Sequence, residues 1–106
     1  MQSRKGQIAV IFLSERTGDD PAGYAAAADA MDRLAARQPG YCGVDHLSDG
    51  QGRSVTISYW ADDAAAIAWR DHPDHAAMRD AGRDRWYRAY RLHVTRVERS
   101  YAWARA

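Results

Sequence analysis

The chain is short of the residues that several large classes of protein depend on. Of its 106 residues only Cys42 is a cysteine, so no disulfide forms within the chain, and a reducing, cytoplasmic setting is expected. Cys42 itself reads as a small apolar filler in a strand. The longest apolar run near the start, Ile8 to Leu13, is too short to span a bilayer, and the segment before it lacks the pattern of a signal peptide. No membrane partner is expected. Neither sign of charge dominates, with 15 Lys plus Arg against 14 Asp plus Glu, so no strong field would draw the protein to nucleic acid.

Several catalytic motifs are missing too. No glycine-rich loop follows a strand, which removes support for NAD or ATP sites, and no G-x-S-x-G elbow surrounds Ser14, Ser54 or Ser58. HExxH, paired cysteines and carboxylate-rich runs are absent, so no metal site is expected from His72 and His75 alone. Repeats, low-complexity tracts and linkers are lacking as well. What remains is one domain over residues 1–106, with an ordered core from about 7 to 103 and enough apolar content, 46%, to build it.

Gln7 to Glu15 is rich in β-branched and aromatic residues, and both alternating sets are apolar: Ile8, Val10 and Phe12 on one face, Ala9, Ile11 and Leu13 on the other. Such a strand is covered on both sides. Asp20-Pro21 marks a helix start, and Tyr24, Ala27, Ala28, Met31, Leu34 and Ala35 recur at helical spacing, predicting a helix over 21–38 that Pro39-Gly40 ends. Strands follow at 41–47 and 53–60, joined through Asp49-Gly50-Gln51-Gly52 as a hairpin. In the second of these Val55, Ile57 and Tyr59 alternate with Thr56, Ser58 and Trp60, giving an apolar face and a mixed face suited to lining a cavity. Asp62 or Asp63 caps a helix running to Trp69; Pro73 forces a bend at His72 and a new segment to Ala81, which Gly82 closes. A last strand over 87–101, with a bulge near Thr95 to Arg96, is expected.

The order strand, helix, strand, strand, helix, strand predicts an α+β fold, ferredoxin-like βαββαβ, with an antiparallel four-stranded sheet and helices on one side. Two helices mask only one face, yet the first strand is apolar on both. A second copy of the chain is the simplest cover, and a homodimer closing into an α+β barrel is expected.

The stretch from Trp60 to Tyr90 holds three of the four tryptophans and two of the four histidines. Trp60, Trp69, Trp86 and Tyr90 read either as core or as the aromatic wall of a pocket for a small planar ligand. His72 and His75 stand three apart across Pro73, with Trp69 three residues upstream, so all three can share one side of a bent helix. His75 is the candidate base and Arg79, four residues on, an anion-stabilising partner; His72 is a candidate substrate-binding residue, with capping of the second helical segment as its alternative use. Arg91 can hold a substrate anion. His46 and His93 read as ordinary strand residues.

The segments PGYCGVD, ISYWADDAAAIAW and WRDHPDHAAMRDAGRDRWYRAY resemble the antibiotic biosynthesis monooxygenase family over nearly the whole chain, from Ala9 to Trp103. That resemblance implies a dimeric α+β barrel. It implies also an oxidoreductase without metal or flavin, in which a phenolic or quinol substrate is deprotonated and its anion reacts directly with O₂. Other members degrade haem with an asparagine in the first strand and a tryptophan and axial histidine on the second helix. Trp69 is similar to that tryptophan, but Arg79 stands in the place of the histidine, and the chain contains no asparagine. The expectation is therefore an enzyme with no cofactor, with haem binding as the alternative and a noncatalytic small-ligand-binding dimer as another.

Overall fold

Eight elements carry the chain in a computed structural model that describes residues 3–106: β1 (Ile8–Arg16), α1 (Pro21–Ala35), β2 (Tyr41–Ser48), β3 (Arg53–Trp60), α2 (Asp63–Arg70), α3 (Pro73–Ala81), a π-helical turn (Gly82–Trp86) and β4 (Tyr87–Arg96). Local chemistry starts each helix where the sequence places it. Asp20 precedes α1 in the left-handed region, φ 47°, which an Asp tolerates because its carboxylate bonds locally; here it accepts from the Gly23 amide. Asp62 caps α2 by accepting from the Ala65 amide, and His72 caps α3 by accepting at Nδ1 from the Asp74 amide.

The four strands form one antiparallel sheet in the order β2-β3-β1-β4. Alternation then fixes which residues share a face. Ile8 pairs with Trp60, Val10 with Ser58, Phe12 with Thr56 and Ser14 with Ser54, and this set lies beneath the helices, because Ile8 and Trp60 pack with Ala35 of α1 and Ala66 of α2. The mixed face of β3 is thus the helix-covered one. Its apolar face, Val55, Ile57 and Tyr59, lies on the far side of the sheet with Ile11, Leu13 and Leu47. No helix covers it. Near the hairpin that open face is hollowed into a cleft of about 630 Å³ lined by Leu13, Leu47, Val55 and Ala89 with Glu15, Arg53 and Arg91 among its charged rim. The outer strand β4 leaves Leu92 and Val94 half-exposed, and beyond it Tyr101 and Trp103 stand in solvent.

Two expected boundaries move. Helix α1 ends at Ala35 and its last turn tightens, with Arg37 and Gln38 donating to Leu34 and Ala35. Helix α3 ends at Ala81 with Gly82 as its C-cap, as expected, and Gly82 also opens the π turn; a side chain there would strike the Tyr87 ring at 2.6 Å, so the bare glycine lets that ring pack in. Strand β4 stops at Arg96, and its irregularity lies at its start, where Tyr87 pairs with Arg16 and Ala89 with Glu15, not near Thr95 to Arg96. The extra residue, Arg88, turns Tyr87 and Tyr90 onto the helix-covered face together, a demand that tertiary packing makes and local sequence does not announce. Among the described residues no helix is long and apolar enough to cross a membrane.

Candidate functional site

Beneath the helices the side chains gather in two groups, one near each end of β1. Ser14 lies six residue steps along the strand from Ile8, which is roughly 20 Å at ~3.3 Å per residue.

The first group is a stack. Trp60 is fully buried, 0% exposed, and donates its indole N–H to the Ser58 hydroxyl at 3.0 Å. Trp69 of α2 stacks above it at 6.0 Å with 24° between planes, and His75 of α3 lies nearly parallel on Trp69, with 4.5 Å between centroids and 11° between planes. The bend at Pro73 makes this possible: it breaks the helix between Trp69 and His75 and folds α3 back so that the two rings meet face to face. His72 tilts against the same indole at 5.7 Å, but its Nδ1 is occupied by the cap of α3.

The state of His75 follows from its contacts. Its Nδ1 lies 3.0 Å from the carbonyl oxygen of Trp69, and a carbonyl only accepts, so Nδ1 carries the proton and Nε2 keeps its lone pair. Burial holds the imidazole below its ordinary pKa, opposed by the bond to the Trp69 carbonyl, and the Arg79 cation adds to the lowering. His75 is therefore a neutral base near neutral pH. Arg79 points its guanidinium at the Arg70 carbonyl, 3.4 Å away.

The second group surrounds the far end of β1. Phe12 meets Tyr87 at 5.4 Å and Tyr90 at 5.3 Å, and Tyr24 of α1 meets Trp86 and Tyr87 edge-on at 5.9 and 5.8 Å. Burial, reinforced by the adjacent Tyr24 phenol, pushes the Tyr87 hydroxyl well above its ordinary pKa, so it stays a neutral phenol. Arg83 donates to the Tyr90 hydroxyl at 2.7 Å, and Arg16 donates to the Ser54 hydroxyl at 2.8 Å with its guanidinium over the Tyr24 ring.

The sequence-derived candidates are thus divided. His72, His75, Arg79, Trp60 and Trp69 come together, with Trp60 behind the stack and not on a free surface. Trp86 and Tyr90 belong to the second group, so the four aromatics do not make one wall. Arg91 pairs with Leu13 on the open face, and the sheet stands between it and His75. Phe12, Ser14, Arg16, Tyr24, Ser54 and Tyr87 escaped the sequence reading. The alternation Phe12, Ser14, Arg16 was visible in β1, but only the sheet register shows that Ser54 and Tyr90 flank it. Among the described residues no three His, Cys, Asp or Glu side chains are grouped as a metal ion would need.

The sequence model of the family described as "Antibiotic biosynthesis monooxygenase" matches residues 7–81. A protein of Bacillus subtilis (strain 168), called uncharacterized protein YqjZ, is 42% identical over 91 residues, 86% of this chain and 79% of that protein. Among solved structures, one of SnoaB from Streptomyces nogalater, described as a cofactor-independent oxygenase, is similar with a TM-score of 0.76 at 18% identity, over 90% of this chain and 96% of that one. Rv0793 from Mycobacterium tuberculosis is similar with a TM-score of 0.73 at 21% identity, over 84% of this chain and 92% of that one. At such identities these structures share the fold.

Proposed function

Because the chain belongs to the antibiotic biosynthesis monooxygenase family, we propose that it is a cofactor-independent monooxygenase acting on a small aromatic, phenolic or quinol-like substrate. The observation that carries this reading is the fixed tautomer of His75: Nδ1–H is held by the Trp69 carbonyl, which leaves Nε2 free to take a phenolic proton. Arg79, close enough to depress the His75 pKa, stabilises the resulting anion. Trp69, with His75 on one face and Trp60 on the other, backs the base, and the tilted ring of His72 is the one left to meet a planar substrate.

The chemistry balances without a bound cofactor. His75 removes the phenolic proton, the electron-rich ring carbon bonds to O₂, and the proton returns to the distal oxygen to give a hydroperoxide. Loss of the ring C–H proton and of hydroxide from that hydroperoxide leaves a quinone and water. One oxygen atom enters the product and the other leaves reduced.

The haem alternative has less support. The position that resembles the axial histidine holds Arg79, whose guanidinium donates to the Arg70 carbonyl and cannot ligate iron. The residues present do not fit a haem site of that kind.

A homodimer is part of the proposal. The family is commonly dimeric, and the apolar open face of the sheet calls for cover. A single cysteine and the absence of charge excess fit a cytoplasmic setting. The deciding experiment follows oxygen uptake and quinone formation from a panel of naphthols and anthrols. The wild-type protein turns over at least one of them and His75→Ala loses about 100-fold or more, in line with removal of a general base; equal rates for the two proteins would end this reading.

A further inference from the structure

The second group contains a half-buried cation and a buried hydroxyl that the fold leaves without adequate partners. Ser14 is only 5% exposed, and its hydroxyl makes no hydrogen bond among the described residues. Register places it between Ser54 of β3 and Tyr90 of β4, all on the helix-covered face. Two residues on, Arg16 returns to that face and spends one guanidinium nitrogen on the Ser54 hydroxyl. No carboxylate lies within ion-pair reach of it among the described residues. Asp20, on the adjoining loop, is engaged with Arg85 and the Trp86 indole N–H. Glu15 falls on the opposite face by alternation.

Burying an unpaired hydroxyl beside a half-buried, unneutralised guanidinium is unfavourable unless something anionic with acceptor oxygens completes both. The surrounding walls are aromatic: Phe12, Tyr24, Tyr87 and Tyr90. We propose that Arg16 and Ser14 form a binding site for the carboxylate of a planar aromatic acid, separate from the His75 stack. One carboxylate oxygen accepts from the free edge of the Arg16 guanidinium and the other from the Ser14 hydroxyl, with the acid's ring against Phe12 and Tyr90. Ser54 is a positioning residue, since it aims Arg16 and is itself occupied. Arginine suits this task because its planar fork offers several N–H groups at once, so one can be held by Ser54 while others face the ligand.

The site does not depend on the proposed role of His75, and its test is arranged to keep the two apart. Benzoate and its neutral isostere benzamide are titrated into the full-length protein, followed by calorimetry and by thermal shift. Benzoate binds saturably to the wild type. Arg16→Met weakens it by about tenfold or more, as the loss of a charge-assisted bond requires. Ser14→Ala weakens it by a smaller factor, benzamide binds less tightly than benzoate, and His75→Ala leaves benzoate affinity unchanged. Circular dichroism checks that each variant folds; should Arg16→Met fail to fold, Ser14→Ala decides, because replacing a hydroxyl by hydrogen leaves packing intact. Absence of saturable benzoate binding, equal affinity for benzoate and benzamide, or unaltered affinity in the folded variants overturns the site. Binding lost in His75→Ala overturns it too, since the acid would then sit at the stack.

Discussion

Trp69 holds His75 by two different means, its ring face to the imidazole at 4.5 Å and its backbone carbonyl to Nδ1–H at 3.0 Å. A ring so held is oriented and kept in one tautomer, and its protonation would put a charge against an indole face in a largely buried place.

The pH dependence of stability follows from the sign of that shift. The folded-state pKa of His75 lies below its unfolded value, so between the two the unfolded chain binds more protons. Stability therefore rises with pH across this window and is lost as the pH falls through the ordinary imidazole range, about 6.5. Urea midpoints measured from pH 5 to pH 8 rise for the wild type, and the slope flattens in His75→Gln. A slope that persists undiminished in the variant would assign the effect to other groups.

Among the described residues Trp60 is the one large side chain that is fully buried, packed with Ile8, Ala35 and Ala66 and under the Trp69 ring. Trp60→Ala is expected to cost about 3–5 kcal/mol, the usual range for deleting a buried indole. Chemical denaturation followed by circular dichroism gives the value; a loss below about 1 kcal/mol would contradict the packing described.

Gly40 turns the chain from α1 into β2 at φ +84°, and a methyl group added there would meet the Ala65 side chain at 2.5 Å. Gly40→Ala combines a left-handed backbone with a clash between helix and turn. A destabilisation of about 2 kcal/mol or more is expected. Thermal unfolding measures it, and an unchanged midpoint would mean that α2 shifts away without penalty.

The open sheet face predicts self-association. Sedimentation velocity at micromolar concentration should give a dimer for the wild type, and Ile57→Asp, which puts a charge in the middle of the uncovered apolar patch, should give a monomer. A wild-type monomer that remains soluble under dilution would remove the dimer from the proposed function.

The sequence by itself determined the elements. Proline and aspartate mark the helix starts at Asp20-Pro21, Asp62 and His72-Pro73 because capping and fixed φ are local effects, and all three stand where they were read. The alternation in β1 likewise announced a strand with two apolar faces, and the element order led to the observed antiparallel sheet. The stacking of Trp69 on His75 was within reach of sequence, since both residues lie on short helices joined by a single proline bend.

Tertiary structure alone decided what lies across the sheet. Register set Ser14 between Ser54 and Tyr90, and a one-residue slip at Arg88 turned Tyr87 and Tyr90 beneath the helices while Arg91 went to the other face. Facing residues in a sheet come from segments far apart in the chain, and a shift of a single position exchanges one face for the other. Local propensity carries no information about that choice; the packing of whole layers makes it.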